Sequence, residues 1–128
     1  MSIRVNVNED DHFFKGEDKQ LLFPIYDQDA TDQSIRDGTA VLEDITGWTF
    51  AWALRRNEDD PSVRISKLTG SSNIIDIGGS VVSVVFTEID TQDLPAGTYF
   101  HTLWRTDPPK EAVLSHGDFL LQQPAELP

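Results

Sequence analysis

One stretch of this chain decides more about its fold than any other: Gly47–Arg55, GWTFAWALR. A strand turns successive side chains to opposite faces, so Trp48, Phe50, Trp52 and Leu54 share one side. Thr49, Ala51, Ala53 and Arg55 share the other. A helix would split the four large residues between two opposite sides, and neither would make a core stripe. The same period of two recurs in Lys19–Asp27 (KQLLFPIYD), where Leu21, Phe23 and Ile25 fall together and Pro24 marks an edge or a bulge. It returns in Val63–Leu68, Ile74–Ile77, Val81–Phe86, Thr98–Thr106 and Ala112–Gln122. Gly, Asn, Asp and Pro clusters separate these runs: Asn57–Pro61, Gly70–Asn73, Gly78–Gly79 and Asp107–Lys110. Short alternating runs between such turns predict an all-β antiparallel sandwich of about seven or eight strands.

The 128 residues fit a single domain, 1–128, large enough to bury a core without covalent staples. The absence of cysteine removes disulfides, thiolate ligands and cysteine nucleophiles together. Three segments lie outside the strand pattern. They are an amino-terminal arm over 1–12, a long acidic loop over 27–46 and a carboxy-terminal tail over 122–128. Within the loop, Ala40–Leu42 has the makings of a short strand. Ten Lys plus Arg face 22 Asp plus Glu, a formal charge of −12. That field repels phosphate backbones and anionic bilayers, so neither nucleic acid nor a membrane is expected as a partner. The start, MSIRVNVNEDD, is too acidic and too short of apolar residues for a leader or an anchor.

Glu88–Tyr99 (EIDTQDLPAGTY) carries the most specific local signal. Glu88–Leu94 suits one helical turn, Pro95-Ala96-Gly97 redirects the chain, and Tyr99 opens the next strand. This placement resembles the tyrosine corner of Greek-key sandwiches, in which a buried phenol bonds backbone a few residues upstream. Asp44-Ile45-Thr46-Gly47, Trp48–Arg55, Ser66–Thr69, Asp90-Thr91 and Leu94–Tyr99 follow in one order. The series resembles the immunoglobulin-like domains of tailed-phage structural proteins, among them the amino-terminal domain of the baseplate upper protein. The likeness runs from about Phe13 to Leu121 and rests on order and spacing.

The resemblance implies an immunoglobulin-like sandwich acting as a non-enzymatic structural or adaptor part of a virion, assembled in the host cytoplasm. Its partners would be other virion structural proteins and further copies of itself, and no cofactor is implied. It makes Trp52 the buried strand tryptophan, Tyr99 the corner, and Gly97 and Gly117 structural glycines. The sequence departs from the family in its long 27–44 connection, in Arg105 where an apolar residue is usual and in Trp104 where a polar one is usual.

If Tyr99 points inward, alternation sends His101 and Leu103 inward and turns Phe100, Thr102 and Trp104 outward. Past Gly117 it puts Phe119 and Leu121 inside and Leu120 outside. Phe100, Trp104 and Leu120 then form a candidate apolar patch, either a protein interface or a surface covered by this chain's own loop or tail. Chemistry finds little support. His12, His101 and His116 are the available imidazoles, and no nucleophile elbow accompanies them. His101 reads as a core histidine and His116 as a surface or bulge residue. As a pair they lack a third metal ligand. The acidic runs Glu9–Asp11, Asp27–Asp32 and Glu58–Asp60 lack the ligand spacing of a calcium loop. No catalytic residue and no metal site is therefore assigned. The alternative function is a carbohydrate-binding module, with Trp104 as its sugar platform.

Overall fold

The computed structural model describes residues 3–7, 13–27, 29–69, 75–108 and 111–123. Its strands are β1 (Ile3–Arg4), β2 (Phe13–Phe14), β3 (Lys19–Pro24), β4 (Phe50–Arg55), β5 (Val63–Leu68), β6 (Ile75–Gly78), β7 (Val81–Phe86), β8 (Gly97–Arg105) and β9 (Ala112–Gln122). Two short helices interrupt them, α1 (Asp32–Asp37) and α2 (Glu88–Thr91). The larger sheet runs β1-β9-β8-β4-β5, with β2 also on β9, and the smaller runs β3-β7-β6. Two sheets in the orders β9-β8-β4 and β3-β7-β6 are the G-F-C and B-E-D layers of an immunoglobulin-like sandwich, and β5 extends the first. Pro24 closes the edge strand β3, where a missing N–H costs no ladder bond.

Alternation sorts the faces. Phe50, Trp52 and Leu54 of β4 are buried against Val82, Val84 and Phe86 of β7, with Phe119 and Leu121 of β9 beside them. Trp52 meets Phe86 edge-on across the sheets at 5.0 Å, and Phe13 meets Phe86 at 5.1 Å and Phe119 at 4.9 Å. Such offset contacts add about 0.5–1.5 kcal/mol each beyond the area they bury.

Three segments differ from the sequence reading. The expected amino-terminal arm is partly a strand: Ile3–Val7 runs parallel to β9 and brings Val5 and Val7 to the core. The acidic connection holds α1, capped by Thr31 with a reciprocal Ser34 bond and ended by Gly38 in the left-handed region. Only Ile35 is a large apolar residue there, so no helical stripe announced it. Ala40–Leu42 supplies a single bridge, Leu42 to Tyr26. The Gly70–Asn73 turn, the Glu9–Asp11 run, His12 and the last five residues of the tail lie outside the described residues.

The parallel strand depends on an irregularity. The Val5 and Val7 N–H groups donate to the His116 and Asp118 carbonyls, both at 2.8 Å. A regular parallel ladder would next join the Asp118 N–H to the Val5 carbonyl. Instead Asp118 donates to the Asn6 side-chain oxygen at 3.0 Å, and the Val5 carbonyl turns inward to accept from His101 Nε2 at 2.6 Å. A Cβ at Gly117 would stand 2.0 Å from that carbonyl oxygen, so only glycine fits. His101 itself is fully buried, stacked on Trp52 at 6.1 Å and tilted against Phe23 at 5.7 Å.

Two outcomes follow. Gly117→Ala should destabilise the fold by about 2–3 kcal/mol, the upper range for one substitution, by displacing the first strand. Hydrogen exchange would show it as lost protection at the Val5 and Val7 amides, while β4 and β8 stay protected. Burial of His101 lowers its pKa to about 4 from 6.5, so the unfolded chain takes up the proton more readily than the folded one. The stability this gives is complete above pH 6.5 and is lost as pH falls towards 4, on the order of 3 kcal/mol. An imidazole carbon resonance of His101 titrating near 6.5 in the folded protein would contradict the burial.

Candidate functional site

The inner face of the large sheet is occupied by the core, and its outer face carries the residues singled out as a candidate patch. Cross-strand pairing places its residues. On β8, Phe100 lies between Arg55 of β4 and Asp118 of β9, Thr102 between Ala53 and His116, and Trp104 between Ala51 and Val113. Leu68 of β5 pairs Ala51, so Leu68, Ala51, Trp104 and Val113 make one apolar row across four strands. Leu68 and Val113 are 46% and 38% exposed.

Phe100, Trp104 and Leu120 all lie half-buried on this face but do not form one patch. Leu120 pairs Thr98 and is a diagonal neighbour of Phe100. Trp104 sits six residues from Thr98, about 20 Å away at strand rise. Its apolar neighbours are Ala51, Val113 and, beyond Ala51, Leu68, which lies on β5, two strands from β8. A bulge between Leu103 and Trp104 skips Leu114 and aligns Val113 with Trp104. Between the two ends, Ala53 and Thr102 form a buried floor. Arg55 leans over it with its guanidinium carbon 5.5 Å from the Trp104 centroid, and His116 stands 6.1 Å from Phe100. His116 therefore faces outward and His101 inward, and the sheet separates the two imidazoles. Among the described residues no three metal-ligating side chains converge.

The corner anchors one end of this face. Tyr99 is buried, and its hydroxyl donates to the Pro95 carbonyl at 2.6 Å. The α2 turn beneath is tied from three directions. Asp18 accepts from the Glu88 N–H at 2.7 Å, Thr91 Oγ1 accepts from the Gly16 N–H at 2.9 Å, and Lys67 Nζ donates to Asp90 at 2.8 Å. Lys67 is only 4% exposed, a buried cation that the alternation of β5 reads merely as an inward lysine. Its partner Asp90 also accepts from the Thr87 N–H, completing the α2 capping box.

At the opposite end, Arg105 occupies an inward position opposite Phe50. Its guanidinium lies 3.5 Å from the Trp48 centroid, so its flat face covers the indole as an apolar side chain would. Asp107 accepts both Arg105 Nε at 2.9 Å and Nη2 at 2.8 Å, which holds its carboxyl down at about 2. This accounts for the departure at Arg105. Asp44 is also held below its ordinary range, by the Thr46 hydroxyl and N–H.

The geometry defines an immunoglobulin-like sandwich with a mixed apolar and cationic outer face. No known family model matches the chain, and no curated protein matches it. For the corner, Tyr99→Phe should cost about 1–2 kcal/mol through the hydroxyl bond to Pro95. Urea melts would register this as a lower midpoint at unchanged slope; an unaltered midpoint would mean the bond adds nothing net.

Proposed function

We propose that this protein is a non-enzymatic structural or adaptor component of a tailed-phage virion, working by protein–protein contact through the outer face of its large sheet. The observation that carries the contact surface is the row Leu68–Ala51–Trp104–Val113, about 15 Å across four strands at ordinary strand spacing. Central aromatic anchors flanked by smaller apolar groups are the usual make-up of an interface hot spot. The virion setting draws support from the ordered motifs between Asp44 and Tyr99. The tyrosine corner, the buried Trp52 and the two-layer strand order are the structural features that such domains share. Partners in this setting are further copies of the chain or other virion proteins.

The competing sugar-binding reading needs an open aromatic platform. Trp104 has Arg55 beside its ring and is half-buried, so the indole presents less free face than stacking on a pyranose requires. Trp104→Glu should shift light-scattering mass from oligomer to monomer, or abolish incorporation into particles. Its effect on unfolding free energy should stay within about 1 kcal/mol, since the ring is outside the core. Unchanged mass and unchanged incorporation would remove the row from the interface. Selective glycan binding lost in Trp104→Ala would transfer the face to carbohydrate.

A further inference from the structure

The corner end of the large sheet gathers three arginines, Arg4, Arg56 and Arg64, in a chain of net charge −12. Arg56 follows β4, with its guanidinium carbon 5.1 Å from the Tyr99 ring centroid. Gly97 has φ +151, and a Cβ there would stand 3.4 Å from Arg56 Nη1. The glycine thus leaves the space in which the guanidinium lies over the corner tyrosine. Among the described residues no carboxylate pairs with Arg56 and no acceptor takes its N–H groups.

Arg56 divides two adjoining grooves. One, of about 270 Å³, is walled by Arg4, Thr98 and Phe100; the other, of about 220 Å³, by Arg64, Leu94 and Pro95. The charged groups lining them are Arg4, Arg56 and Arg64 against Glu58 and Asp118. Arg4 reaches Asp118 at 3.4 Å across an exposed pair that solvent screens, and Arg64 reaches the mostly buried Asp60 at 3.5 Å. Of the three groove arginines, Arg56 is the one without a carboxylate among the described residues. In the loop that follows it, the Asp59 N–H donates to Asn57 Oδ1 at 3.0 Å and the Ser62 N–H to Asp60 Oδ1 at 2.9 Å.

We propose that this strip binds a carboxylate-bearing acidic segment of a partner protein, with Arg56 as the fork and Phe100 as the apolar wall beside it. A guanidinium held over an aromatic ring presents parallel donors that match a carboxylate in two bonds, at little further ordering cost. A phosphate suits the same fork, but it puts both its charges on one group beside Glu58 and Asp118, whereas a peptide spaces its carboxylates along the strip. The site shares Phe100 with the outer face and rests on reading that face as a contact surface.

The test uses the full chain, ¹⁵N-labelled, at about 0.15 M salt, where screening beyond ~8 Å confines the effect to local charges. An acetylated, amidated Glu-Leu-Glu-Leu peptide should give saturable shifts at the Arg56 Nε–H and at the Thr98 and Phe100 amides. The Gln-Leu-Gln-Leu peptide should give none. Arg56→Gln should weaken binding at least tenfold, Arg56→Lys several-fold, and Arg36→Gln on the exposed α1 not at all. Shifts that survive Arg56→Gln, that the glutamine peptide reproduces, or that inorganic phosphate displaces at equal concentration would overturn the assignment. Loss of peptide binding with oligomer mass dependent on Trp104 would sink the carboxylate site alone. Peptide binding with mass indifferent to Trp104 would sink only the wider contact surface.

Discussion

The arrangement depends on one constraint: Trp52, Phe86, Phe119 and Phe13 must meet between two sheets that have no covalent tie. Each is at most 1% exposed, and each ring touches at least one of the others across or along the layers. Burial of side chains this size is worth about 1.5–3 kcal/mol apiece, so this cluster is a large part of a marginal total. Once these rings fix which face of β4, β8 and β9 is inside, a slip of one residue would exchange every outer side chain for an inner one. The outer face with Phe100, Trp104 and Arg55 is the remainder of the core's requirement.

A sandwich must also dispose of backbone that regular pairing leaves over, and here that burden gathers around His101. The Val5 carbonyl leaves the ladder, glycine at 117 clears its path, and a buried imidazole takes the bond in place of a backbone N–H. The cost is a histidine held neutral and an Nδ1 with no partner among the described residues. An aliphatic residue at 101 would pack without that cost, but it would leave the carbonyl bare beside aromatic rings, a loss of about 1–3 kcal/mol. The exchange favours histidine because the first strand also brings Val5 and Val7 onto the open side of the core.

How much of this was legible in the chain follows from the range of each interaction. Alternation in Gly47–Arg55 and Thr98–Arg105 is local, so the faces of β4 and β8 could be read directly, as could the corner at Pro95–Tyr99. The first strand also alternates, Ile3, Val5 and Val7, but its partner is more than a hundred residues away and no turn links them. The α1 helix carries its cap signals, Thr31 and Gly38, yet lacks the apolar stripe that would distinguish six residues of helix from a loop. The apolar row through Trp104 depends on the bulge that skips Leu114 and on the register of β5 against β4. Both are properties of pairing, and neither leaves a trace in a single strand's pattern. Lys67 shows the same limit: its inward position was readable, while the carboxylate that accepts it comes from a corner 23 residues on.

The distribution of charge bears on what the outer face can do. At −12, two copies of this chain repel at long range, and the repulsion fades over roughly 8 Å at physiological salt. Association through an apolar row must overcome that repulsion at contact, so a wholly apolar face would be a poor solution. Arginines spread over the aromatic residues change the balance. Arg55 at Trp104, Arg56 at Tyr99 and Arg105 at Trp48 each cover a ring with a planar cation. Arg105 is spoken for by Asp107, which leaves it structural. Arg55 and Arg56 have no described carboxylate and sit on the face or at its end. They keep apolar surface wetted and, on the proposed role, would offer charge complementarity to an acidic neighbour. On the proposed role, a surface built this way would select partners by sign as well as by shape.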